Sequence, residues 1–130
     1  MSKKLKFIDL FAGIGGFHYA LKSQGMECVF TSEIDDFARK TYASNFKDKY
    51  LNDPNLFAGD IWKVDIKKIP DFDILCAGFP CQPFSQAGHK KGFKDNKDGN
   101  LFFSIEKILK IKKPSVFFLE NVRHLKNHDS

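Results

Sequence analysis

Short apolar runs, each stopping at a glycine or a polar residue and separated by helical patterns or polar loops, limit this chain to very few folds. The first run, Phe7-Ile8-Asp9-Leu10-Phe11, stops at Ala12-Gly13-Ile14-Gly15-Gly16. Its length and the clustered glycines predict a strand entering a tight turn. Phe17, Ala20 and Leu21 follow at helical spacing, and Gly25 suits the end of that helix. Cys28 to Ser32 predicts a second strand. Asp35 or Asp36 can cap a helix from Phe37 to Asn45. Leu56-Phe57-Ala58 reads as a brief third strand ending at Gly59-Asp60, and Asp73 to Gly78 as a buried fourth. A polar loop follows from Phe79 to about Asn100, longer than ordinary connections, as functional segments often are. Leu101, Phe102, Ile105, Ile108 and Leu109 mark one helix face, Pro114 ends that helix, and Val116 to Leu119 forms a fifth strand stopping at Glu120-Asn121.

Strands alternating with helices predict an α/β fold with a parallel sheet. In such sheets ligands bind beyond the carboxyl ends of the strands, where Gly13 to Gly16, Glu33, Asp60, Phe79 to Gln82 and Glu120-Asn121 all fall. The 130 residues carry no internal repeat or linker and read as one unit. A hydrophobic share of 42% argues against a disordered chain, and no apolar run approaches the ~18 residues of a membrane helix. The apolar stretch after the basic amino terminus breaks at Asp9, which excludes a signal-peptide core. Three cysteines, an odd number, argue against a disulfide scaffold and suit a reducing cytoplasm. The net charge of +5 is compatible with an anionic partner such as nucleic acid.

The glycine turn lacks the third glycine of a dinucleotide fingerprint, because His18 stands near its place. Glu33, at the end of the second strand, can accept hydrogen bonds from both hydroxyls of a ribose. It can equally be a charge favoured at a helix start. Asp60 can accept from an adenine amino group or simply shape a turn. Phe79-Pro80-Cys81-Gln82-Pro83-Phe84-Ser85 sets a thiol directly after a buried strand, with prolines restricting the backbone on both sides. That makes Cys81 a better nucleophile than Cys76, which lies inside the strand and reads as a small buried hydrophobe. No Cys or His pair has zinc spacing, so no metal is expected. Glu120 emerges from an apolar strand and is expected to be partly desolvated, which favours a carboxyl that holds a proton near neutrality.

Three segments, Phe7 to Gly16, Gly78 to Ser85 and Glu120-Asn121-Val122, closely resemble the ordered motifs of cytosine carbon-5 DNA methyltransferases. The resemblance runs from Phe7 to about Asp129. It implies a Rossmann-like S-adenosylmethionine-dependent methyltransferase sheet, truncated after the fifth strand. In that reading Phe11, Gly13, Gly15 and Gly16 line S-adenosylmethionine, Glu33 holds its ribose and Ile34 packs on its adenine. Asp60 and Ile61 frame the adenine edge, and Phe79, Pro80 and Leu101 line the same pocket. Cys81 is implied to be the nucleophile and Glu120 the acid that activates the base. Gln82, Ser85, Lys90 and Lys91 would face DNA. Lys90, Lys91, Lys94 and Lys97 against Asp95 and Asp98 leave the stretch from Ser85 to Asn100 at +2, which favours phosphate.

Family members run to about twice this length or more, and only ten residues follow Glu120. Residues 1–130 are therefore expected to be the N-terminal, cofactor-binding part of a catalytic domain. A complementary C-terminal chain is a candidate partner, DNA the expected substrate and a bacterial cytoplasm the expected setting, within a restriction–modification system as the same resemblance implies. Methylation of tRNA, and a module that binds cofactor or nucleic acid without turnover, stay open. A dinucleotide-dependent oxidoreductase leaves Cys81 without a role.

Overall fold

The strand expected at Phe7 runs from Lys6 to Leu10 (β1) and is buried from Phe7 onward, because it lies in the middle of a sheet. The structure, a computed structural model, describes residues 3–80 and 101–122. Beside β1 lie β2 (Glu27–Ser32), β3 (Phe57–Ala58), β4 (Ile74–Pro80) and β5 (Val116–Val122). Their order is β3-β2-β1-β4-β5, and every neighbouring pair is parallel. The chain steps outward from β1 through β2 to β3, then returns to the other side of β1 for β4 and β5. The order thus reverses between β1 and β4, and in open α/β sheets ligands bind outside the carboxyl ends at such a point.

Helices α1 (Gly16–Ser23), α2 (Asp36–Asn45) and α3 (Leu101–Lys112) link the strands. Side chains alternate across the sheet. Ile8, Leu10, Leu75 and Ala77 pack with Ile105 and Ile108 of α3 into the larger core, joined by Phe30, Ile61, Ile69 and Phe72. Phe7, Ile74 and Cys76 point the other way, against Phe17 and Leu21 of α1. The register between β1 and β2 shifts after Phe7, which pairs with Cys28, whereas Ile8 pairs with Phe30. That shift accommodates Val29 as one extra residue, so Cys28 and Phe30 serve opposite cores despite their even spacing. No described helix is long and apolar enough to cross a membrane.

The carboxyl ends of three strands differ from the sequence reading. Phe11 is outside β1, because its φ of 54° puts it in the left-handed region. The fourth and fifth strands run on to Pro80 and Val122, since β4 and β5 continue to pair after β1 has ended opposite Ala77. A proline is tolerated there because no described strand flanks that end of β4 on its β1 side. β5 is the edge strand, and Val116, Phe117, Phe118 and Leu119 are between 37% and 52% exposed.

Gly15 caps α1 at φ 103°, and a Cβ there would stand 2.3 Å from the Phe46 ring. Gly15→Ala should therefore destabilise the fold by about 2–4 kcal/mol, combining left-handed strain with overpacking. Gly13→Ala, strained at φ 60° but unobstructed, should cost about 1–2 kcal/mol. Gly16→Ala, with neither problem, should be close to neutral. Urea midpoints of the three variants test this ranking.

Candidate active site

The turn after β1 folds back over the carboxyl ends of the strands. Ala12 N–H donates to Ser32 O at 3.1 Å, and Gly15 N–H donates to Ala12 O at 3.1 Å. Phe11, Gly13 and Gly15 all take positive φ, which glycine adopts freely but which strains Phe11, as often happens at functional sites. A Cβ at Gly13 or Gly16 would meet no atom within 4 Å, so the turn presents open backbone to the crevice.

Glu33 follows β2 and ties this turn to α2. Its Oε1 accepts from Gly13 N–H at 2.8 Å and its Oε2 from Asp35 N–H at 2.9 Å. Both oxygens keep further acceptor capacity. Ile34 beside it is 69% exposed. Asp60 follows β3 and caps a short 3₁₀ turn through Trp62 N–H at 2.9 Å. Ile61 is only 8% exposed and belongs to the α3-side core rather than to the open crevice. Phe11 is partly buried and packs on that same core. Leu101 is half-buried at the start of α3.

Gly78 pairs with Glu120, Phe79 with Asn121 and Pro80 with Val122. Glu120 therefore lies on the strand beside the residues that lead into Cys81. Cys81, Gln82, Ser85, Lys90 and Lys91 lie outside the described residues. Glu120 is exposed rather than partly desolvated as expected, because β5 is the edge strand and no described element covers it. Cys76 is fully buried, and burial pushes its thiol up to about 12, which leaves no thiolate to attack. Among the described residues no group of three His, Cys, Asp or Glu side chains could hold a metal ion.

Comparison with known proteins bears directly on this edge. Residues 5–130 match the family described as C-5 cytosine-specific DNA methylase. This chain belongs to that family. Type II methyltransferase M.HhaI of Haemophilus parahaemolyticus is 53% identical over 126 residues, which are 97% of this chain and 36% of that relative. M.HpaII of Haemophilus parainfluenzae is 52% identical over 131 residues, 99% of this chain and 34% of its own. A crystal structure described as that of a DNA modification methyltransferase encoded within an E. coli prophage superposes with a TM-score of 0.66. It is 25% identical, over 92% of this chain and 32% of that one. The chain thus spans about a third of the length of the relatives it matches.

Beneath the glycine turn of this family member lies a buried polar network that the motifs do not announce. Tyr42 O–H donates to Asp9 Oδ2 at 3.0 Å, stands 2.6 Å from His18 Nδ1 and 3.0 Å from Thr31 Oγ1. Thr31 Oγ1 also meets Tyr50 O–H at 2.7 Å, which donates to Cys28 Sγ at 3.0 Å. The His18 ring stacks on Phe46, centroids 3.7 Å apart. Among the described residues Asp9 Oδ1 and His18 Nε2 have no hydrogen-bond partner, though His18 Nε2 stands 3.6 Å from Asp48 Oδ2. Burial pushes the Asp9 carboxyl up to about 7, against the hydrogen bond from Tyr42 and with help from the charge of Glu33. Burial pushes His18 down to about 4, opposed by Asp48. The usable signal was the placement of Asp9 and His18 on an otherwise apolar strand and helix face.

The two shifts have opposite consequences. Between pH 3.8 and about 7 folded Asp9 keeps a proton that the unfolded chain has lost, so its contribution to stability falls as pH rises. Between about 4 and 6.5 unfolded His18 holds a proton that the folded chain lacks, so its contribution rises with pH. Relative to the parent chain, Asp9→Asn should gain stability from pH 4 to 7 and His18→Asn should lose it from pH 4 to 6.5. Urea midpoints across that range check both signs.

Proposed function

We propose that this chain is the N-terminal, cofactor-binding part of an enzyme that methylates carbon 5 of cytosine in DNA. The observation that carries the reading is the convergence of four strand ends. The glycine turn, Glu33, the residues leading into Cys81, and Glu120 all occupy the carboxyl edge of one sheet. S-adenosylmethionine suits this edge. Gly13 and Gly16 leave open space where a side chain would stand, Glu33 offers two carboxylate oxygens, and Ile34 offers an exposed apolar surface. When bound, that cofactor supplies an electrophilic methyl group. Phe11 and Gly15 would shape the turn around it, Asp60 with the backbone at the buried Ile61 would frame its adenine edge, and Phe79, Pro80 and Leu101 would line the same pocket.

Cytosine carbon 5 is a poor nucleophile, and the chain's own residues correct this. The Cys81 thiolate adds to carbon 6, while Glu120 places a proton at ring nitrogen 3 to take up the developing charge. Proton loss from carbon 5 later expels the thiolate. The base lies inside a duplex and must be flipped out, at a cost of a few kcal/mol. Gln82, Ser85, Lys90 and Lys91 follow the nucleophile in the chain and would meet the DNA strand. The exposed apolar residues of β5 suit coverage by the remaining length that the relatives possess.

The test supplies the C-terminal remainder of M.HhaI as a separate chain, with duplex DNA containing 5-fluorocytosine and S-adenosylmethionine. Fluorine cannot leave as a proton does, so a covalent protein–DNA adduct should accumulate. Cys81→Ala should abolish it and Cys76→Ala should spare it. An adduct persisting in Cys81→Ala would overturn the reading. Glu33→Ala should weaken S-adenosylmethionine binding by about 1.5–3 kcal/mol, measured by calorimetry.

A further inference from the structure

Arg39 of α2 is spent entirely on backbone carbonyls at the carboxyl edge. Its Nη1 donates to Ala58 O at 2.7 Å and to Glu33 O at 3.3 Å, and its Nη2 donates to Phe57 O at 3.4 Å. The guanidinium lies over the Phe57 ring, 4.3 Å from its centroid. The position runs against helix electrostatics. Arg39 lies in the amino-terminal half of α2, where the helix dipole disfavours a cation, so the contacts it makes must outweigh that cost.

Those contacts join the two weakest parts of the edge. β3 has only two residues, Phe57 and Ala58, paired with Thr31 and Ser32. Beyond that pairing, Glu33 N–H donates to Ala58 O at 3.0 Å, and Arg39 then clamps both carbonyls. Asp60 follows Ala58 by two residues. The Glu33 carboxylate in turn accepts from Gly13 N–H. One guanidinium therefore fixes Glu33 relative to β3, and through Glu33 it fixes the glycine turn.

We infer that Arg39 is a positioning residue for the adenosine end of the cofactor site, holding the Glu33 carboxylate where it can accept from ribose hydroxyls. The inference rests on the proposed role of Glu33. A lysine cannot reproduce it, because an ammonium is a point charge without the planar fork that reaches carbonyls of β3 and of Glu33 together.

The experiment compares binding of S-adenosylhomocysteine and its 2′-deoxyribose analogue to the 130-residue chain and to Arg39→Lys, Glu33→Ala and the double variant. Arg39→Lys should reduce the preference for the ribose form about 5- to 10-fold while leaving affinity for the deoxy analogue within twofold. In the Glu33→Ala background it should cost nothing further. A merely structural role would weaken both ligands equally, and that result would overturn the inference. Full loss of the preference in Glu33→Ala with an unchanged preference in Arg39→Lys would overturn it alone. An unchanged preference in Glu33→Ala would overturn the reading of Glu33. Amide hydrogen exchange without ligand gives an independent arm. Arg39→Lys should speed exchange at Gly13 and Asp35, both held by the Glu33 carboxylate, about tenfold. It should leave Asp73, held by Lys6 O at the far end of the sheet, unchanged. Unaltered exchange at Gly13 would overturn the inference whether or not ligand binds.

Discussion

The close approach of α2 to the glycine turn governs the whole carboxyl edge. Tyr42 and Phe46 occupy the volume that a side chain at Gly15 would need. With that volume filled, the Tyr42 hydroxyl reaches Asp9 in β1, His18 in α1 and Thr31 in β2. A single phenol thus bonds to two strands and a helix in a dry environment, where each bond is strong and each lost partner costly. The same helix carries Arg39 to the ends of β2 and β3. Because α2 reaches β1, β2 and β3 together, the turn, Glu33 and Asp60 are held as one piece.

Much of this was legible in the sequence. Alternating apolar runs and helical patterns gave all five strands and the three helices, since hydrophobic period and glycine placement are local properties. Boundaries were less legible where pairing decided them. β4 and β5 lengthen each other beyond the apolar residues, and no local signal in Phe79-Pro80 or Asn121-Val122 announces a ladder. The Val29 irregularity was equally hidden, because it exists only in the register between two strands.

The site divides in the same way. The glycine turn was legible because Gly13 and Gly15 take a positive φ that favours glycine locally, and Glu33 because it directly follows a strand. The roles of Arg39 and Tyr42 were not legible, because they depend on partners in other elements, and Asp9 and His18 showed only as polar residues on an otherwise apolar strand and helix face. The exposure of Glu120 shows the limit of reasoning from one strand. An apolar approach to a carboxylate implies desolvation only if something packs over it, and an edge strand does not meet that condition by itself.

The two faces of the sheet are built on different principles, and the difference follows their tasks. Against α3 the core is almost wholly aliphatic and aromatic, held by packing that has no preferred direction. Against α1 and α2 the buried residues include Asp9, His18, Thr31 and Tyr42, joined by bonds that tolerate little displacement. Directional bonding costs desolvation, and leaves Asp9 Oδ1 without a hydrogen-bond partner among the described residues. What it supplies is a fixed position for a turn that contains three residues with positive φ and would otherwise relax. A purely apolar core beneath Gly13 and Gly15 could bury as much surface, but it could not specify which backbone amide meets Glu33.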